Sequence, residues 1–512
     1  MDILKTYISS LDKKEREEFK KYLSIQGKTK DRIDVHLYQC ISDNPEWDNN
    51  AIIQEIYSIK DEAKITAKVK NSYYQWRSIL TGHMEDFCLH RVTNENKLLY
   101  VVKLFLLSRF LFNRKKFAAG FRYLAKAEAL AMSSENYNLL DQIYALKFDF
   151  AWTQPNFKLE ELLKDIKMTR ERLQIENRSI EAYNILLFKL NAAKRKGEKI
   201  EYDKMLSEAK TSFGKRDLIK ANSKAFYKFT MAVYLVLNEK LEFDTMMNHL
   251  ISAYEFMEES GMFGTHNQRI KLELLTLIMR SAVLSKNFEK AAFYQTKLKE
   301  LYRDFTENPI LNFRSHVVEY VFLACTGRAK EAKEKIDYLE HHPTVQELIK
   351  EDNQAYGMLM ANLISSSFSS GDYTQAKRHL FNVMNNEKRI RDDAGIQAVL
   401  FLYIVELMIY CGLKDYKTVL KKIPPLKKRF NSYGNFNAKE NYSKSIEFFG
   451  AIAKSDGVIS PELDEKIRDF NNQPNRSVIG TREFLPIKPF FNFLLNKTSY
   501  YEELYKYVQE KN

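Results

Sequence analysis

A short phrase recurs along this chain of 512 residues, usually an aromatic residue that the clearest copies follow with a small residue three positions later. Successive copies lie roughly 40 to 45 residues apart, and a repeat of that length is typical of stacked helical hairpins. We expect each anchor residue to open the second helix of a hairpin. The anchors are Phe117, Phe157, Tyr202, Phe243, Phe288, Ala329, Tyr373, Tyr416 and Ile459. The series predicts an all-α solenoid, in which each hairpin packs on the next.

The composition agrees with a folded helical array. The length exceeds the limit of about 250 to 300 residues for one globular core. Hydrophobic residues make up 45% of the chain and charged residues 29%, which excludes an intrinsically disordered protein. There are only 10 prolines and 16 glycines, and no proline lies between Pro45 and Pro155. Because proline interrupts helices, this scarcity favours helices joined by short turns.

The sequence predicts a cytoplasmic protein that does not insert into a membrane. The N-terminus shows no basic region followed by an apolar segment and a cleavage site, so we see no export signal. Charged residues such as Lys103, Arg109 and Glu406 interrupt the most apolar windows, which fall short of the span of about 20 residues that a membrane requires. The four cysteines form no C-x-x-C pair, and we interpret them as reduced core thiols. They are Cys40, Cys88, Cys325 and Cys411.

Three domains are expected: a helical N-terminal cap over residues 1–97, the repeats over 98–470, and a C-terminal capping segment over 471–512. In the first domain, Asp12 and Glu15 have the spacing of a capping box that begins a helix. A second amphipathic stripe follows at Ile33, Leu37, Cys40 and Ile41. We then expect a long helix over about residues 61–90. A last helix, over about residues 498–510, is expected to cap the open end of the array.

The clearest hairpin, residues 104–127, resembles the tetratricopeptide pattern, in which small residues let the two helices of a hairpin approach closely. Ser108 and Gly120 form the small pair. The resemblance implies a right-handed solenoid of about eight or nine such hairpins, although the spacing exceeds the family's usual period of about 34 residues. The stretches 11–20, 74–80 and 117–131 are also similar to a family of uncharacterised cytosolic bacterial tetratricopeptide-like proteins. That family has no established activity, so the resemblance implies a domain layout and no chemistry.

The same resemblance implies a binding groove along the first helices of the hairpins. We therefore predict a non-catalytic scaffold or adaptor that binds a protein or peptide partner. The alternative for Phe105 and Phe112 is that they pack against the neighbouring repeat. The family's two-carboxylate clamp needs Lys and Asn at set positions, and we do not find that set. The predicted groove residues are Phe105, Arg109, Phe112, Arg280, Val283, Ser365 and Phe368.

The alternative function is that of an RNA- or ribosome-associated factor, because helical repeats with basic clusters on one face can follow a phosphate backbone. The formal net charge is +13, but 80 basic residues are interleaved with 67 acidic ones, as on ordinary solvated faces. Basic residues near hairpin turns also complement helix C-termini without any ligand. The alternative requires the clusters to converge on one face. They comprise Arg114, Lys115, Lys116, Lys194, Arg195, Lys388, Arg389, Arg391, Lys427, Lys428 and Arg429.

No motif points to catalysis or to a cofactor. We find no phosphate-binding loop, no nucleophile elbow and no zincin helix. His83 and His90 are seven residues apart and share a helix face, and we interpret them as surface histidines rather than metal ligands. The sequence therefore predicts that the protein is not an enzyme. An enzyme would require a polar constellation assembled across several repeats.

Overall fold

The computed structural model describes residues 2–25, 32–154, 157–196, 200–264, 267–302, 309–432, 439–472 and 486–509. Within these ranges every regular element is a helix. There are 27 α-helices, and two short 3-10 helices at Glu62–Lys64 and Ala151–Thr153. The all-α prediction is confirmed. None of the described helices is both long enough and apolar enough to span a lipid bilayer.

The chain forms two compact units, unit 1 (Met1–Arg170) and unit 2 (Glu171–Asn512). The helices that begin in unit 1 are α1 (Ile3–Ser10), α2 (Lys13–Ile25), α3 (Ile33–Asp43), α4 (Asn49–Ile56), α5 (Ala67–Glu95), α6 (Lys97–Asn113), α7 (Phe117–Ser133), α8 (Tyr137–Asp149) and α9 (Leu159–Lys196). Helix α9 continues into unit 2. This division lies within the series of anchors, and the domain boundaries at residues 97 and 470 stay a prediction.

The remaining helices belong to unit 2. They are α10 (Tyr202–Phe213), α11 (Arg216–Lys220), α12 (Ser223–Lys240), α13 (Phe243–Glu259), α14 (Gln268–Leu284), α15 (Phe288–Tyr302), α16 (Pro309–Cys325), α17 (Ala329–His341), α18 (Pro343–Glu351), α19 (Asn353–Ser369), α20 (Tyr373–Met384), α21 (Glu387–Ala394), α22 (Ile396–Gly412), α23 (Tyr416–Ser432), α24 (Lys439–Lys454), α25 (Pro461–Asn472), α26 (Ile487–Asn496) and α27 (Tyr500–Gln509).

The first helices of unit 1 form as the residue patterns predict. The backbone N–H of Asp12 donates to Glu15 Oε2 at 2.6 Å, and the N–H of Glu15 donates to Asp12 Oδ1 at 2.7 Å, which completes the capping box of α2. Leu37, Cys40 and Ile41 are buried on α3, as predicted.

The long helix α5 begins later than expected, at Ala67 rather than near residue 61. Asp61 accepts a hydrogen bond from the N–H of Ala63 and caps a short 3-10 turn instead. Thr66 then caps α5, since its hydroxyl accepts from the N–H of Val69. Local capping decided the boundary.

Seven of the nine anchors are the first residue of a helix, and the other two, Phe157 and Ile459, lie two residues before one. The cause is a recurring turn. The residue two positions before the anchor is left-handed in seven copies: Lys115, Leu241, Lys286, Gly327, Gly371, Lys414 and Gly457, with φ between 56° and 85°. In six of them the next N–H donates to the carbonyl five residues earlier at 2.8–3.0 Å, for example Lys116 to Leu111. This is the Schellman end of a helix.

The C-terminal helices differ from the expectation of a simple end cap. Phe490 and Phe491 on α26 pack against Phe449 on α24 and so cover the last hairpin. Helix α27 instead lies against three earlier hairpins, at Lys286, Cys325 and Phe368. Lys286 Nζ donates to the Tyr507 carbonyl at 2.9 Å, and Gln509 Nε2 donates to the Cys325 carbonyl at 3.3 Å.

Candidate protein-binding surface on α6

The hairpin of α6 and α7 is closely packed at the predicted small pair. The buried hydroxyl of Ser108 donates to the Gly120 carbonyl at 2.8 Å. A Cβ atom on Gly120 would lie 2.6 Å from the ring of Phe112. Only small residues permit this approach of the two helices, so the predicted role of Ser108 and Gly120 is confirmed. One side of α6 is thereby held rigidly.

The opposite side of α6 exposes apolar residues to solvent. Leu106 and Phe110, one turn apart, are each 56% exposed. Leu98, Tyr100 and Leu107 on the same helix are also exposed. Single exposed apolar residues are ordinary, but adjacent ones such as Leu106, Leu107 and Phe110 are typical of an interaction site.

The exposed side has the spacing of a helix-packing seam. Leu99, Lys103, Leu106 and Phe110 follow one another at intervals of four, three and four residues. That is the alternation by which one α-helix presents a stripe to a second helix. Lys103 is half-buried within the stripe, and Arg109 is exposed beside it. We call Leu99, Lys103, Leu106 and Phe110 the α6 seam.

The hairpin is strongly basic, and its one acidic residue is Glu128 on α7. From Asn96 through Ala127 there are eight Lys or Arg residues and not one Asp or Glu. Arg114 ends α6 and places its guanidinium 5.5 Å from the centre of the Phe110 ring. Arg114, Lys115 and Lys116 are exposed and complement the negative C-terminal end of the helix. Apart from Lys103 the α6 seam is therefore apolar, and it is basic at its end.

Two of the predicted groove residues in the first hairpin lie at this surface, and one does not. Arg109 is exposed and Phe105 is half-buried. Phe112 is buried, with its ring stacked on that of Phe150 at 4.5 Å. The packing alternative holds for Phe112, because its ring fills the space above Gly120.

The predicted groove residues of the later hairpins do not form an open groove. Val283 and Phe368 are buried, and Phe368 contacts the rings of Tyr373, Phe490 and Tyr500. Arg280 donates to the Tyr234 hydroxyl. Ser365 is half-buried. Val283 and Phe368 face the core, since they continue the apolar stripes of α14 and α19, and the prediction of a groove lined by them is wrong.

Three of the four basic clusters meet in unit 2. Arg195 Nε donates to the Asp392 carbonyl at 2.7 Å, which joins the end of α9 to α21. A Cβ on Gly395 would lie 2.9 Å from the Lys194 carbonyl oxygen. Arg429 on α23 pairs with Glu387 on α21 at 3.0 Å. We call this region, formed by the end of α9, α21 and the end of α23, the basic junction.

Part of the charge in the basic junction is matched within the protein. Lys194 pairs with Glu239, and Arg429 with Glu387. Lys388, Lys427 and Lys428 are exposed. The side chain of Arg389 lies outside the described side chains, and Arg391 is half-buried. Every cluster also reaches the last turn or the C-cap of its helix, where cations stabilise the helix dipole.

A cleft of about 380 Å³ opens between α18, α19 and α20. His379 lines it and is buried, and Gln375 Nε2 lies 3.0 Å from its Nε2 atom. Burial lowers the pKa of His379, which keeps the imidazole neutral near pH 7. Glu340, Arg378 and Asn382 lie at the same cleft. These groups form a mixed polar lining and not a recognisable catalytic set.

The other ionisable groups considered as functional candidates are His83 and the four cysteines. His83 Nε2 lies 4.0 Å from Asp34 Oδ2. In the described part of the chain no three His, Cys, Asp or Glu side chains are grouped to hold a metal. The four cysteines are free thiols. Burial raises the pKa of each, to about 12 for Cys325 and Cys411, so these thiols are weak nucleophiles.

Searches of protein-family models, of curated proteins and of solved structures found no match to this chain. Leu106 and Phe110 were not among the residues predicted from sequence. The absence of Asp and Glu from residue 96 to residue 127 was a visible signal for this hairpin, in a chain whose charges are otherwise mixed.

Proposed function

We propose that the protein is a non-catalytic cytoplasmic scaffold that holds a protein partner on the α6 seam. In this proposal the hairpins form a right-handed solenoid of eight or nine tetratricopeptide-like units, of bacterial type. The single observation that carries the proposal is the exposed apolar side of α6. It stands on a helix whose other side is held in place by the contact between Ser108 and Gly120.

The energetics favour a rigid, preformed surface. Fully burying a Leu or Phe side chain contributes about 1.5–3 kcal/mol. Leu106 and Phe110 are already more than two-fifths buried, so a partner that covered both would gain roughly half of that from each. Because α6 is already ordered, little conformational entropy is lost on binding.

Partner recovery tests the proposal. The tagged protein is purified from its native cell at moderate salt, with and without nuclease, as the wild type and as Leu106→Ala/Phe110→Ala. The control is Ile185→Ala/Phe188→Ala, because Ile185 and Phe188 are an exposed apolar pair on α9. We expect a protein partner to co-purify with the wild type in stoichiometric amount, with or without nuclease. The α6 variant, Leu106→Ala/Phe110→Ala, should lose this partner, and the control should retain it. A partner that the α6 variant retains contradicts the proposal.

A second candidate function is polyanion binding at the basic junction, supported by the convergence of three basic clusters there. It predicts that RNA binding weakens steeply with salt. Lys427→Glu/Lys428→Glu should then abolish a mobility shift with single-stranded RNA, while Arg109→Glu leaves the shift unchanged. The internal pairing of Lys194 and Arg429 makes this the weaker candidate.

A further inference from the structure

We infer that the partner of the α6 seam is an amphipathic α-helix whose apolar stripe is flanked by Asp and Glu. This inference rests on the proposed function, since it names the chemistry of the partner at the same surface. Two independent features support it: the spacing of the apolar residues and the sign of the charges around them.

The spacing indicates a helix as the occupant. The α6 seam is one side chain wide and alternates by four and three residues. A partner helix with the same alternation can place its own side chains between those of Leu99, Leu106 and Phe110. The exposed side of α6 can therefore pack against the apolar side of a second helix. This resembles the recognition of amphipathic helices by preformed apolar surfaces.

The charges indicate that the helix is acidic. Arg109 lies on one flank of the seam and Arg114 on the other, and both are exposed. Lys115 and Lys116 follow directly. No carboxylate lies between residues 96 and 127, and the one acidic residue of the hairpin, Glu128 on α7, pairs with Lys147 at 2.8 Å. Carboxylates on the flanks of a partner helix would complement them and speed association.

Other occupants fit less well. A second copy of this chain would bring together two hairpins that each carry eight basic residues, within molecules of formal net charge +13. Nucleic acid does not need the exposed leucines at positions 98, 106 and 107. An anionic membrane surface does not need a seam one side chain wide. The acidic helix uses both the apolar and the basic residues.

Direct binding of designed helices tests the inference. Three fluorescein-labelled peptides of about three heptads each carry leucine at the a and d positions, and differ only in having Glu, Gln or Lys at e and g. Fluorescence anisotropy is measured with the full-length protein at peptide concentrations where sedimentation shows monomers. We expect the Glu peptide to bind about tenfold more tightly than the Gln peptide, and the Lys peptide not to bind. The preference should fall as salt rises from about 0.05 M to 0.5 M.

Charge reversal provides the decisive variant. Arg109→Glu/Arg114→Glu changes only exposed side chains and should abolish the preference for the Glu peptide over the Gln peptide. Leu106→Ala/Phe110→Ala should weaken every peptide about tenfold or more, while Ile185→Ala/Phe188→Ala leaves binding unchanged. Circular dichroism confirms that each variant is folded.

Several results overturn the inference. Equal binding of the Glu and Gln peptides does so, as does no change of preference on charge reversal. The inference also fails if single-stranded RNA, or vesicles of phosphatidylcholine and phosphatidylserine, bind more tightly than the Glu peptide and Leu106→Ala/Phe110→Ala abolishes that binding. If the α6 variant loses its cellular partner while the peptides show no acidic preference, the scaffold proposal stands and only this inference fails.

Discussion

At the scale of single residues, Gly120 makes the sharpest prediction. In Gly120→Ala the new methyl group would lie 2.6 Å from the Phe112 ring, which is itself packed against the rings of Phe121 and Phe150. Overpacking costs about 1–3 kcal/mol, whereas replacing a helical glycine with alanine gains about 0.5–1 kcal/mol. We therefore expect a net loss of about 1 kcal/mol in the free energy of unfolding of unit 1, measured by urea denaturation.

Gly82→Ala is the matched control, because Gly82 also lies in a helix of unit 1 and a Cβ there would meet nothing within 4 Å. We expect it to stabilise unit 1 by about 0.5–1 kcal/mol. Equal effects of the two substitutions would show that the approach of α6 and α7 is not closely packed.

Glu319 links three successive helices and makes a prediction about pH. It lies on α16 and pairs with Lys299 of α15 at 3.0 Å and with Lys335 of α17. Burial alone would raise the pKa of Glu319, but hydrogen bonds with His316, Lys335 and Lys299 outweigh it and hold the pKa far below its usual range. Glu319→Gln should cost about 1–2 kcal/mol at pH 7, a modest figure because Lys299 is largely exposed.

The sign of the pH dependence follows from that lowered pKa. In the unfolded chain the pKa of the glutamate is about 4.3, while in the folded chain the carboxylate stays ionised to lower pH. Its contribution is fully present above that unfolded pKa and is lost as the pH falls below it. Urea denaturation measures the free energy of unfolding of the wild type and of Glu319→Gln. The difference between these two free energies should therefore shrink as the pH is lowered from about 5 to about 3. A difference that is constant over this range would contradict the role of the ion pairs.

At the scale of the elements, the recurring turn makes its own prediction. Gly371 has a φ of 79°, and a Cβ there would meet nothing within 4 Å, so Gly371→Ala tests backbone conformation alone. The left-handed conformation costs a residue with a Cβ about 1 kcal/mol, and we expect that loss in the free energy of unfolding. Gly357→Ala is the control, since Gly357 lies inside α19 with equally open space, and should stabilise. If Gly371→Ala and Gly357→Ala both lower the free energy of unfolding, the left-handed turn is not the cause of the loss.

The same turn explains how much of the fold the sequence could predict. A left-handed residue and a first helical residue recur at set positions because the Schellman end is a local structure. The anchors therefore located the helix starts to within two residues. The position of α27 depends instead on contacts with Lys286 and Cys325, more than 180 residues away, and no local pattern carries that information.

The candidate site was predictable in part for a similar reason. Arg109 was expected to be accessible to a partner, and it is exposed on α6. Phe112 and Phe368 were expected there as well, but aromatic residues on an apolar helix do not reveal which side faces the core. Apolar residues occur on every side of α6, so their periodicity could not separate the buried side from the exposed side. Only the packing against α7 decides between them.

At the scale of the whole molecule, the nearest-neighbour character of hairpin arrays predicts that damage stays within a unit. Tyr500 on α27 is buried, with its ring 4.8 Å from that of Phe368 in a T-shaped arrangement. Replacing a buried aromatic residue with alanine costs about 3–5 kcal/mol. Because α27 also contacts the turns at Lys286 and Gly327, Tyr500→Ala should loosen three successive hairpins of unit 2 together.

Native-state hydrogen exchange read by mass spectrometry measures this directly. In Tyr500→Ala we expect faster exchange in peptides that contain Lys286, Gly327 and Phe368, and no change in peptides from unit 1. In Gly120→Ala we expect the reverse, with faster exchange within residues 97–133 and none in unit 2. In a repeat array each hairpin is stabilised mainly by the elements it contacts, so each substitution should act on the helices packed around it and stay within its unit. Faster exchange throughout the chain in both variants would mean that the protein unfolds as one cooperative body and that the nearest-neighbour description does not apply to it.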